Sequence, residues 1–276
     1  MSTAGQTFQQ PSQYCSGTQT GKISQMKFLE RMIGMFVGPV RVFRTVKDRP
    51  SWLAAFLITS LFVVATSFVF MNRVPYEIRR EAQLDTSVNA AARIVNDQAQ
   101  LQKMREEIER RTPRRETLRQ KLTVPVIEMI GSLFLAALAA SLYLLGAAIA
   151  GKPITYRQAL TVRVYSDLPP IVIASILLVI VMLLKSPEEI NPLGYESLLV
   201  SNLGFLVDSK ENAALRVMAE YMDVFQIWSL ILAALGLTII SGNMKRGPAI
   251  SIVVVVWLLG LLVKIGAVLL TGGFRL

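Results

Sequence analysis

Four stretches of this chain are long, apolar and almost uncharged, and they constrain the fold more than anything else in it. Trp52 to Met71 runs for 20 residues without a charge, Met129 to Ala150 for 22, and Val224 to Gly242 for 19. Ala249 to Thr271 adds 23 residues, with only Lys264 charged. An apolar helix of roughly 18 residues or more crosses a hydrocarbon core about 30 Å thick. A soluble domain of 276 residues would need far less apolar material than the 53% present here. A fifth stretch, Leu168 to Leu184, is only 17 residues and opens with Pro169-Pro170. Extended back to Val164 it is long enough, and the prolines, which remove backbone donors and crowd the preceding turn, are then expected to kink it. The expected fold is an all-α integral membrane protein with about five transmembrane helices, at 52–71, 129–150, 164–184, 224–242 and 249–271. Together they form one membrane domain over residues 26–276. Span two carries small residues four apart, Ala136/Ala140, Ala137/Ser141 and Gly146/Ala150, which let helix backbones approach closely in lipid and predict it at the bundle centre.

Outside the spans the pattern changes. Residues 1–25 are rich in Gln, Ser and Thr, read as a disordered tail, and have no apolar core of the kind a cleavable signal needs. From Gln25 to Phe36 the residues Met26, Leu29, Met32, Ile33 and Phe36 recur at helical spacing. That predicts an amphipathic helix, lying in the membrane interface or packed on the cytoplasmic end of the bundle. Gly38-Pro39 ends it, and Pro39 can open a second short helix, Val40 to Val46. The polar loop 72–125 holds Ile94, Leu101, Met104 and Ile108 at heptad positions and the i,i+4 pairs Glu106–Arg110 and Glu107–Arg111. These predict helix over Val88–Arg111, as a hairpin or lone helix against the membrane or as a coil for a partner. The second loop, 185–223, is acidic, with seven acids against three bases. Spans four and five, joined by Gly242 to Pro248, form an antiparallel hairpin.

The net charge of +10 would suggest nucleic acid on a soluble protein. Here the bases cluster beside apolar runs, in Arg41 to Arg49 and Arg110 to Lys121, where they anchor spans and attract anionic lipid heads, so no nucleic-acid partner is expected. The chain has no histidine and a single cysteine, Cys15, which sets aside disulfides, His-based acid–base chemistry and Cys/His zinc sites. Gly146 to Pro153 approaches a phosphate-binding loop, but Pro153 stands where a Ser or Thr must hold magnesium, and no strand precedes it. No carboxylate pair, activated nucleophile or metal cluster emerges, so no cofactor and no enzymatic activity are expected. Glu128, Asp223 and Lys264 sit near span ends and read as structural, Lys264 being within about 10 Å of its span's end and able to snorkel. Asp167 stands directly before Pro169-Pro170 and near Tyr165, and these four are the candidate functional residues. The carboxylate either pairs locally, with Arg163 or with backbone donors at the kink, or lines a polar cavity.

Several stretches resemble the YIP (Ypt-interacting protein) domain family of five-span membrane proteins, particularly its bacterial branch. They are Phe36-Val37-Gly38-Pro39-Val40-Arg41-Val42-Phe43 leading to Pro50-Ser51-Trp52, and Tyr156-Arg157-Gln158-Ala159-Leu160 leading to Tyr165-Ser166-Asp167-Leu168-Pro169-Pro170. Asn202 to Asp208, Met222 to Trp228 and Lys245-Arg246-Gly247 complete the set, which spans roughly residues 30–272. The resemblance implies a scaffold or adaptor that binds other membrane proteins, since eukaryotic relatives bind prenylated small GTPases and some bacterial ones accompany exporters. The Asp-Leu-Tyr-Gly-Pro stretch typical of the eukaryotic members is absent here, so fold is implied more than GTPase binding. A homo-oligomer and contacts with membrane lipids are also expected, and the rival expectation is a transport component with a polar path at the Pro169-Pro170 break. The resemblance to the bacterial branch implies a bacterial inner membrane, and the basic residues near span one predict a cytoplasmic N-terminus and an external C-terminus.

Overall fold

The computed structural model describes residues 27–92, 97–195, 198–207, 213–242 and 244–270. The tail 1–25, with Cys15, lies outside them, as do Met26, Ile94 and Asp208. The chain is an all-α integral membrane protein. Among the described residues four helices are long and apolar enough to cross a bilayer, and a fifth apolar helix of 17 residues completes the set.

Two short helices come first. α1 (Phe28–Val37) buries Met32 and Met35 and leaves Leu29, Ile33, Phe36 and Val37 exposed on its other side. The two expected dispositions therefore combine: one face packs on the bundle, and the other presents an apolar stripe suited to the lipid interface. α2 (Pro39–Asp48) starts with proline at its first helical position and fully buries Val42, Phe43 and Val46. Phe43 lies where a side chain on Gly236 would have to stand, 2.8 Å from a Cβ built there, so only glycine permits this crossing.

The first span is α3 (Leu53–Arg73). The loop after it forms a helical hairpin, α4 (Tyr76–Ala91) and α5 (Gln98–Arg111), rather than one helix over Val88–Arg111. The break has a local cause: Asp97 accepts a hydrogen bond from the Ala99 N–H, 2.9 Å, and caps a new helix start. Leu101, Met104 and Ile108 are half-buried on α5, as their spacing predicts.

α6 (Leu118–Ile149) begins 11 residues before the expected second span. Thr117 and Gln120 form a capping box there, and Pro125 is accommodated in the second turn, where its missing N–H costs one hydrogen bond. α7 (Tyr156–Leu184) likewise starts early, at a Thr155/Gln158 capping box. Gln158 Nε2 also donates to the Lys47 carbonyl, 3.0 Å, satisfying the end of α2. Pro169 and Pro170 sit inside this one continuous helix. Each removes the donor that the carbonyl four residues earlier, at Tyr165 or Ser166, would have used, but the helix is not broken.

The bundle centre is α7, not α6. It packs against α1, α2, α3, α6 and α9 and buries Ala159, Thr161, Val162, Tyr165, Ser166, Leu168 and Ser175. Of the small residues on α6, Ala136 and Ala140 face the bundle as expected and Gly146 meets Ile252, whereas Ser141 and Ala150 are exposed. α8 (Ala213–Tyr221) lies in the second polar loop, and α9 (Val224–Ile240) and α10 (Arg246–Leu270) pack as the expected pair.

Candidate functional site

The central helix α7 pairs two of its charges one turn apart. Arg163 and Asp167, four residues apart on α7, form an ion pair at 3.0 Å, with side chains 23% and 17% exposed. The Asp167 carboxylate also accepts a hydrogen bond from Ser229 on α9, and the Arg163 guanidinium lies beside the buried Tyr143 of α6. Two helices are thus joined by one polar network, with a third packed beside it, in a position where lipid could supply no partner. The carboxylate's partners are therefore a neighbouring cation and a hydroxyl, not backbone donors at a kink.

The network forms one wall of a cleft of about 440 Å³ between α7, α8, α9 and α10. Of the four residues picked from sequence, Asp167 and Pro170 line it. Tyr165 does not: it is buried on another face, near Arg31 of α1 and Ser51 just before α3, which hydrogen-bond each other at 2.9 Å. Pro169 is buried in the helix packing. The residues that sequence reasoning passed over come from the second loop and α9: Asn202, Arg216, Glu220, Tyr221, Gln226 and Ser229. The available signals were a serine in an otherwise apolar span and the Arg216–Glu220 spacing, four apart on α8, which form a pair at 2.9 Å.

The three carboxylates of the cleft are held by the protein itself. Asp167 has Arg163 and Ser229, and Glu220 has Arg216. Asp223 takes a hydrogen bond from Ser201 and caps α9 by accepting from the N–H groups of Phe225 and Gln226. Lys264 differs, for its ammonium lies 5.4 Å from the centre of the Tyr221 ring, and among the described residues it makes no ion pair. Tyr221 reaches it because Gly260 leaves room; a Cβ there would stand 2.8 Å from the phenol oxygen. Burial raises the Tyr221 phenol above its usual range, and the Arg163 charge partly opposes this. Glu128, the remaining acid near a span end, accepts a hydrogen bond from Ser67 on α3, whose hydroxyl is 3.0 Å from that of Tyr195.

The depth of the cleft follows from helix lengths. α9 has 17 residues, about 25 Å at the helical rise, which is short for a core of about 30 Å. From the Asp167–Ser229 bond α7 continues 17 residues to Leu184, whereas α9 reaches back only five, to Val224. The two ends differ by about 18 Å. The loop after α7 therefore folds back alongside the bundle to membrane depth. Backbone outside a helix is tolerated there only when protein covers it or when it lines a polar cavity. Here it does both: Asn202 bridges to Asp223, and Asn202 and Gly204 line the cleft.

The fold and site define a polytopic helical membrane protein with a central charged helix and a polar loop folded back among the spans. Residues 33–267 match the Yip1 domain. The chain belongs to the Yip1 domain family. No curated protein and no solved structure gives a significant match to it.

Proposed function

We propose that this protein is a non-enzymatic scaffold or adaptor of a bacterial inner membrane that binds other membrane proteins, exporter components or further copies of itself among them. Its N-terminus is cytoplasmic and its C-terminus external. The observation that carries this reading is the closure of the charged network in α7. The Asp167 carboxylate is committed to Arg163 and Ser229 inside a helix that runs unbroken through both prolines. Transporters that use broken helices expose half-helix ends and free carbonyls to their substrate; α7 has no half-helix end, and the two carbonyls its prolines release belong to the buried residues Tyr165 and Ser166. The polar cleft is the one feature that favours the rival reading, a transport path. Two measurements on the full-length protein separate them. Reconstituted alone in liposomes, it is expected to produce no proton or cation flux above that of protein-free vesicles. With a photo-crosslinker at Phe134, exposed on the outer face of α6, it is expected to trap a defined membrane protein or its own copy in cells. A flux from the purified protein that Asp167→Asn abolishes overturns the adaptor reading.

A further inference from the structure

We infer that the cleft between α7, α8, α9 and α10 is a binding site for a phospholipid, with Lys264 holding the phosphate. This goes beyond the adaptor reading and does not rest on it.

Six charged side chains line the cleft: Arg163, Arg216 and Lys264 against Asp167, Glu220 and Asp223. Arg163 and Arg216 are matched by Asp167 and Glu220, and Asp223 is saturated by Ser201 and the first N–H groups of α9. What the protein leaves without a counter-charge, among the described residues, is the Lys264 ammonium, resting on the Tyr221 ring. A cation–π contact of this kind holds an ammonium in place and leaves its N–H groups free to donate. The Arg163 Nε, buried and without a hydrogen-bond partner, adds positive character to the same wall. The unmet demand is for an anion with several acceptor oxygens.

The rim decides which anion. Apolar Ile171, Ala174, Leu199, Val200 and Phe225 line the same recess beside the charges, and Val200 is exposed. Apolar side chains exposed beside a charged recess at membrane depth are solvated by hydrocarbon, not by water. An amphiphile meets both demands, its phosphate at Lys264 and its acyl chains over the apolar rim. A soluble phosphate meets only the first. A volume of about 440 Å³ is of the size that holds a small-molecule ligand.

The test uses delipidated full-length protein in mild detergent, with melting temperature and native mass spectrometry as readouts. Phosphatidylglycerol added at saturation is expected to raise the melting temperature by about 5 °C and to appear as one retained lipid per chain. Diacylglycerol, which has the chains without the phosphate, and glycerol phosphate, which has the phosphate without the chains, are expected to do neither. Lys264→Gln should lose at least tenfold in lipid affinity, and Lys264→Arg should retain most of it. Lys264 is an exposed side chain, so both variants are expected to fold, which their melting temperatures without lipid verify. An equal shift from diacylglycerol or from glycerol phosphate alone overturns the proposal. So does an unchanged response in Lys264→Gln. Neither result bears on whether the protein crosslinks to a membrane partner from α6.

Discussion

An arginine and an aspartate inside a lipid-embedded bundle are stable only as a pair. Removing one partner of a buried ion pair leaves the other charge desolvated and typically costs about 3–5 kcal/mol, while removing both costs much less. Arg163 and Asp167 are each less than one-quarter exposed, so solvent screening discounts little of this. Asp167→Asn keeps an acceptor for Ser229 but strands Arg163, and it is expected to lower the melting temperature in detergent by about 6 °C or more. Replacing Arg163 by Gln in the same chain should restore a good part of the loss. Additive losses in the double variant would show that the two residues stabilise the bundle independently. A carboxylate that merely capped the proline turn would tolerate Asn at about 1 kcal/mol, so the size of the single-variant effect is itself informative. Half of this site was legible in the sequence. Asp167 is conspicuous because charge in a span is costly, and Arg163 lies one helical turn away. Ser229, Tyr143 and Lys264 were not legible as its neighbours, because their proximity depends on how α9, α6 and α10 are staggered, which no local pattern encodes. Tyr165 lies away from the cleft for a related reason. Two residues apart on a helix, it and Asp167 point about 200° away from each other around the axis.

At the scale of elements, the hairpin α4–α5 is tied more tightly at its base than farther out. Arg79 presents one nitrogen to both oxygens of Glu116, at 2.8 and 2.9 Å, with side chains 11% and 9% exposed. Arg79 also donates to the carbonyls of Val74 and Met71, which closes the end of α3. Farther out, Asp85 and Arg105 meet at 3.3 Å with both side chains about half exposed, a pair worth less than about 1 kcal/mol. Residues 88–104 can therefore be replaced by a short Gly/Ser linker, because their flanks already lie side by side. The shortened protein is expected to insert and to elute as a single species in detergent, with its melting temperature within about 3 °C of the parent. Glu116→Ala, by contrast, should destabilise by about 3 kcal/mol or more, since it leaves Arg79 buried and unpaired. Wholesale aggregation of the shortened chain would show that the hairpin tip belongs to the bundle. The elements themselves were readable from apolar runs, but their ends were not. α6 and α7 start at capping boxes upstream of the apolar stretch, and a hydropathy argument sees only the part in lipid. The central place of α7 was hidden similarly, because its packing surface is built from Ala159, Thr161, Ser166 and Ser175, which lower its apparent hydrophobicity while allowing close helix approach.

The whole molecule must choose an orientation, and its two sides compete. The ends of α3 and α7 meet on one side, where Arg73 donates to the carbonyls of Met182 and Lys185; the α4–α5 hairpin and the acidic loop begin there. On the other side lie α1, α2 and the junctions from α6 to α7 and from α9 to α10, with Arg41, Arg44, Lys47, Arg49, Lys152, Arg157, Lys245 and Arg246. Residues 72–125 hold 12 Lys and Arg, so a plain count of bases favours keeping the hairpin inside. The first span usually governs orientation, however, and residues 72–125 fall just short of the roughly 60 residues beyond which a loop translocates largely regardless of charge. On the proposed orientation the four bases just before span one hold α2 in the cytoplasm and the hairpin outside, and five crossings bring the C-terminus outside as well. The single cysteine makes this directly measurable. In a Cys15→Ser background, Arg114→Cys in the hairpin connection is expected to react with a membrane-impermeant maleimide on intact spheroplasts. Arg44→Cys on α2 should react only after lysis. Both parent side chains are exposed, so access rather than burial decides the labelling. The reverse pattern, with Arg44→Cys labelled from outside and Arg114→Cys protected, would invert the molecule and place the hairpin and the mouth of the cleft on the cytoplasmic side.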